Sequence, residues 1–200
     1  EGNYKDDKKH GKWTGWNEND KIWWENNYKD DKLDGKVTVW YENHKIKNEA
    51  NYKDGKKNGK ETYWFESGKI WAEYYFKDGK KNGKWTGWSK GGLKQNEENY
   101  KDGNLVSATK YLYYTNGQIR SEGNFSEDDI PHGKDTSWNE NGQKTQEVYY
   151  KNGKLDGKTT QWYDNGQKKK EQHLKDGKRN GKWTYWFENG QIEIKGNFKD

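Results

Sequence analysis

The sequence predicts an all-β fold: an elongated single-layer antiparallel meander of tandem β-hairpins, about eight 24-residue repeats long, forming an open solenoid-like rod. Three observations predict it. An Asn-Tyr-Lys-Asp phrase, intact or varied, recurs at Tyr4, Tyr28, Tyr52, Phe76, Tyr100, Phe125, Tyr150, Leu174 and Phe198, in steps of 24 or 25 residues. A fixed period of this length marks a repeat array. Each period holds two runs rich in aromatic and β-branched residues, each closed by a turn that carries glycine in most units, which is the pattern of a hairpin. Every connection is short, so neighbours in sequence become neighbours in space. Residues 1–200 therefore read as one array, with units starting near residues 4, 28, 52, 76, 100, 125, 150 and 174.

The unit from Leu174 to Phe198 shows how each element arises. Its first strand ends in Trp183-Thr184-Tyr185-Trp186, and Glu188-Asn189-Gly190-Gln191 follows as the hairpin tip. Asn-Gly between aromatic runs predicts a two-residue type I′ turn. Glycine holds that place at Gly68, Gly92, Gly117, Gly142, Gly166 and Gly190, and Asp20 and His44 hold it in the first two units. Asp and His are among the non-glycine residues enriched at positive φ. A second turn, Asp176-Gly177-Lys178, leads to the next hairpin. About sixteen strands follow from this plan.

A type I′ turn at Asn189-Gly190 sets Phe187 opposite Ile192, Tyr185 opposite Ile194 and Trp183 opposite Gly196. Residues directly opposite share a face, and a ring over a strand glycine offsets that glycine's weakness. The other face carries three rows. Trp recurs at Trp16, Trp40, Trp64, Trp88, Trp138, Trp162 and Trp186, with Tyr113 in the same row. Thr stands two residues earlier at Thr14, Thr38, Thr62, Thr86, Thr136, Thr160 and Thr184. Glu lies across at Glu25, Glu49, Glu73, Glu97, Glu122, Glu147 and Glu171. Strands ~4.8 Å apart place successive units ~10 Å apart and give a rod of about 75–80 Å.

Composition sets limits on function. Apolar residues are 26%, charged residues 36%, and mean hydropathy is -1.74, values that alone describe a disordered chain. The 13 Trp, 15 Tyr and 5 Phe reverse that reading, because each ring can bury about 150–250 Å² even in a thin structure. The net charge of +5 comes from interleaved signs and lacks the clustered bases of a nucleic-acid footprint. Cysteine is absent, which removes disulfides and thiolate metal sites and fits an exported protein. The first and last residues fall at nearly the same repeat phase, so a longer parent chain is expected.

Catalytic patterns are missing. His10 and His132 share a turn phase held elsewhere by Asn58, Asn82 or Asn180, and neither they nor His44 or His173 accompany a nucleophile. The Glu row repeats one environment, whereas acid–base pairs need two. The stretch Glu127-Asp128-Asp129 before Pro131 lacks the spacing of a calcium loop and reads as repeat drift. No enzyme activity, cofactor or metal site is expected.

The phrases Asn51-Tyr-Lys-Asp-Gly-Lys-Lys-Asn-Gly59 and Glu122-Gly-Asn-Phe125 resemble the MORN repeat, and more closely its bacterial 24-residue variant in exported proteins. The resemblance covers the whole chain and implies tandem hairpins in a single sheet. It also implies roles as scaffold, lipid-headgroup binder, surface-exposed protein or antitoxin-type protein. This chain has more Trp and Lys and fewer glycines than the eukaryotic pattern.

A single sheet cannot bury both faces, so some rings must stay accessible, and a contiguous aromatic row marks an interaction surface. The candidate surface is Trp23, Tyr41, Phe65, Trp71, Tyr163 and Phe187. The leading expectation is a non-enzymatic exported scaffold for a protein partner at the bacterial envelope or outside the cell. One alternative is a carbohydrate- or choline-type module using the same rings. Another is an antitoxin-like intracellular partner. Nucleic acid is not expected, and the well-mixed lysines give membrane lipid little support.

Overall fold

The computed structural model describes residues 1–198, so the Lys199-Asp200 end of the last repeat phrase lies outside the described residues. It is an open, all-antiparallel sheet of nineteen strands. Residue contacts divide the chain into two units, 1–106 and 107–200. The first holds β1 (Asn3–Lys5), β2 (Lys8–Trp16), β3 (Ile22–Lys29), β4 (Lys32–Trp40), β5 (Ile46–Lys53), β6 (Lys56–Trp64), β7 (Ile70–Lys77), β8 (Lys80–Lys81), β9 (Gly83–Trp88) and β10 (Lys94–Lys101). The boundary falls within β11 (Asn104–Tyr113). The second unit continues with β12 (Ile119–Phe125), β13 (Pro131–Trp138), β14 (Lys144–Lys151), β15 (Lys154–Leu155), β16 (Gly157–Trp162), β17 (Lys168–Lys175), β18 (Lys178–Trp186) and β19 (Ile192–Phe198). Strands exceed the expected sixteen partly because breaks at Asn82 and Asp156 split β8 from β9 and β15 from β16.

The tip turn differs from the sequence expectation. At the tip, Gly190 N–H donates to Phe187 O (2.9 Å) and Phe187 N–H donates to Gln191 O (2.9 Å). Gly190 has φ 82 while Asn189 is not at positive φ. This is a three-residue loop ending in a left-handed residue, the next most common hairpin closure, and not a two-residue type I′ turn. The type I′ turns are the connections between hairpins: Asp78 (φ 51) and Gly79 (φ 81) separate the pair Lys77↔Lys80. Asp20 (φ 57) and His44 (φ 64) do take the glycine conformation at their tips.

The longer loop displaces the first pair, so Trp186, not Phe187, stands opposite Ile192. A bulge then adds one residue to β19, and Tyr185↔Ile194 and Trp183↔Gly196 pair as expected. The same bulge occurs in every tip hairpin, as between Gly15↔Trp24 and Trp16↔Ile22, and it leaves Trp23 and Trp71 as the extra residues of β3 and β7. Trp183 lies over Gly196 so closely that any side chain there would strike the ring.

One face holds the polar ladder. Most of its Glu residues have Thr on both sides, as in Thr14↔Glu25↔Thr38↔Glu49↔Thr62, whereas Glu122 has Tyr111 on one side and Thr136 on the other. The opposite face, which carries Val37, Ala50, Ala72, Val148 and Leu174, is the nearest thing to a core, and among the described residues no large side chain is fully buried. Where the core face is widest in rings, in β7 to β10, Trp85 packs against Tyr74, Phe76 and Tyr100. Repeats are stitched at both ends. Gly55 N–H donates to Leu33 O (2.8 Å) at one end, and Tyr41 Oη donates to Trp64 O (2.6 Å) at the other.

Candidate functional site

Successive tips of the first unit enclose an open groove of about 930 Å³. The ends of β2 and β4 supply Trp16 and Trp40, the start of β3 supplies Ile22 and Trp23, and the loops supply Tyr41, Glu18, Glu42 and Glu66. Trp23 is 55% exposed because the bulge turns it out of the ladder, and Trp16 is 42% exposed. Tyr41 is half-buried and fixed by its bond to Trp64 O, with Lys47 Nζ 5.6 Å from its ring centre. Among the described residues, no ion pair engages Glu18, Glu42 or Glu66, all of which are exposed.

The sequence-derived surface residues are thus distributed. Trp23 and Tyr41 line the groove. Phe65 and Trp71 pack together at the next tip, their ring centres 6.3 Å apart. In the second unit Tyr163 donates to Trp186 O (2.8 Å) beneath Lys169, and Phe187 is 49% exposed. The groove carboxylates and the ladder rings Trp16 and Trp40 were missing from that set. Their signal is present in the sequence, since Glu18, Glu42 and Glu66 recur at one phase, two residues after Trp16, Trp40 and Trp64.

A second depression, about 490 Å³, lies in the second unit against Trp162, Glu147, Glu171, Lys158 and Lys168. Its chemistry differs because its two glutamates are already paired with lysines. Glu171 meets Lys158 (2.9 Å) and Lys168 (2.7 Å), and Glu147 meets Lys134 (2.8 Å) and Lys144 (3.0 Å). Burial raises the Glu171 and Glu97 pKa values, but their two lysines outweigh it and hold both below the ordinary glutamate value; for Glu147 the Lys134 hydrogen bond is the largest effect in the same direction. A lowered folded-state pKa gives stability that is present above the unfolded value and lost as pH falls through the folded one. Thermal stability is therefore expected to fall from about pH 4.3 downwards, by a few tenths to about 1 kcal/mol per exposed pair. Replacing Glu97, Glu147 and Glu171 by Gln should flatten that acid limb in a melting-temperature series.

Among the described residues no three His, Asp or Glu side chains cluster as a metal site. Glu127–Asp129 forms a short 3-10 turn, and Asp129 is paired with Lys110 (2.7 Å).

A sheet of tandem hairpins with ring-lined tips defines a repeat protein. The sequence pattern described as MORN repeat variant matches residues 33–54, 57–78, 108–127, 131–154, 155–176 and 179–200, about two-thirds of the chain, and the chain belongs to that family. Repeats of this family generally bind proteins or membranes and are typically not enzymes. Residues 1–32, which supply Trp16, Glu18, Ile22 and Trp23, fall outside the matched segments. No curated protein matches the chain. Among solved structures it is similar to part of one titled "Crystal Structure of TcdB2-TccC3-Cdc42", at 10% identity and a TM-score of 0.28. That likeness covers 93% of this chain, which spans 13% of the other chain's length.

Proposed function

We propose that the chain is a non-enzymatic, exported repeat protein that holds a protein partner at the bacterial envelope or outside the cell, docking it in the tip groove of the first unit. The observation that carries this reading is the groove itself. Trp16, Ile22 and Trp23 are exposed beside Trp40 and Tyr41, and clustered Trp and Tyr in a concavity are the residues on which partner affinity concentrates. The cysteine-free composition suits export, and protease added to intact source cells tests the location by whether it cleaves the chain.

Trp23 makes the cleanest test. It has no ring stacking or hydrogen bond among the described contacts, so Trp23→Ala should change stability by no more than about 0.5 kcal/mol. Loss of a central ring should weaken partner binding by about 2 kcal/mol or more. Affinity capture from envelope extracts and host-cell lysate, run beside a urea titration of each protein, reads both quantities. Recovery of the same species at the same yield by the Trp23→Ala protein overturns the groove as the docking site.

A further inference from the structure

We infer that the partner segment seated in this groove is an extended, polyproline-II-type strand with a Lys or Arg at every third residue; the inference rests on the docking reading above. Charge comes first. The groove presents Glu18, Glu42 and Glu66 without counter-ions, and the lining base Lys47 is held over the Tyr41 ring. The ladder glutamates of the same unit show the contrast: Glu25, Glu49 and Glu73 are satisfied by the chain's own Lys12, Lys36 and Lys60. A cationic occupant supplies what the tips of the first unit lack. The Trp16 and Trp40 rings beside the carboxylates also accept a cation on their faces.

Spacing then selects the backbone. The three carboxylates sit at one phase of consecutive hairpins, two strands apart, which is ~9.6 Å per step. One turn of a polyproline II helix is three residues and ~9.3 Å, so a basic side chain at every third position stays in step with the row. A β-strand places same-side residues ~6.7 Å apart and falls out of step at the first interval. An α-helix repeats a face after seven residues, at ~10.5 Å, and is nearly 2 Å out by the third carboxylate. Aromatic-lined grooves are also the surfaces that proline-rich strands dock on, because the strand is already ordered.

The test uses the whole chain and synthetic peptides read by calorimetry. Four copies of Arg-Pro-Pro are compared with four copies of Glu-Pro-Pro, and with Arg-Pro-Pro-Pro repeats carrying the same number of arginines. Arg-Pro-Pro should bind, its affinity should fall with added salt, and both control peptides should bind at least about fivefold more weakly. The combined Glu18→Gln, Glu42→Gln and Glu66→Gln protein, with circular dichroism unchanged, should lose at least about fivefold in affinity for Arg-Pro-Pro. Equal binding of the two arginine peptides, or unchanged affinity in the triple variant, overturns the inference. If Arg-Pro-Pro fails to bind while Trp23→Ala still abolishes partner capture, the basic-strand occupant is wrong and the docking site stands.

Discussion

Lys57→Ala is expected to lower the unfolding free energy by about 3 kcal/mol, although Lys57 looks like one of many surface lysines. Glu61 is only 3% exposed. Both of its carboxylate oxygens accept from Lys57 Nζ at 2.7 Å, Tyr63 Oη donates at 2.9 Å, and Asn48 lies at 3.5 Å. Removing the lysine strands a buried carboxylate, and that is where the cost arises. The neighbouring repeat supplies the control, because Leu33 and Val37 hold the positions that Lys57 and Glu61 hold here. The double change Lys57→Leu with Glu61→Val should equal the parent or exceed it by about 1 kcal/mol. Denaturant titration of the single and double variants decides the matter; a single variant as stable as the parent would show that the ion pair carries no such cost. Burial first, and the bond to Glu61 second, hold the Tyr63 hydroxyl well above the ordinary tyrosine range.

What could be read in the sequence divides along a physical line. Trp183 over Gly196 was legible because cross-strand pairing depends on alternation, and the tip loop and the bulge shift the register by compensating amounts. The tip loop itself was not legible. Asn189-Gly190 and Asp78-Gly79 both satisfy the preference for type I′ turns, and only the hydrogen bonding shows which pair takes one. The Lys57–Glu61 pair was hidden for a related reason. Residues four apart on a regular strand lie ~13 Å apart, and it is the irregularity at Gly59 (φ 99) that brings them together. Among the site residues, Trp23 and Tyr41 were found through the surplus of rings. Glu18, Glu42 and Glu66 were missed because in a chain that is 36% charged a single acidic phase looks like solvation until its neighbours prove to be unpaired.

Trp85→Ala is expected to cost about 3 kcal/mol or more, in contrast to the near-silent Trp23→Ala. Both are tryptophans on one repeating sheet, and the difference lies in what surrounds them. Trp85 has Tyr74, Phe76 and Tyr100 at 4.3, 5.4 and 5.2 Å between ring centres. Lys81 Nζ sits 4.1 Å above its ring, and its Nε1 donates to Tyr75 O at 3.2 Å. Truncation leaves three rings and an ammonium around a void that a one-layer sheet has no second layer to fill. The effect should also be local, because in a repeat array each unit is held by its nearest neighbours. Hydrogen exchange of the variant should show lost protection in β7, β9 and β10, while the hairpin of β2 and β3 keeps the parental rates. Uniform loss across the first unit would mean that those hairpins unfold as one cooperative block. Unchanged protection around β9 would remove the ring cluster from the account of what holds this sheet together.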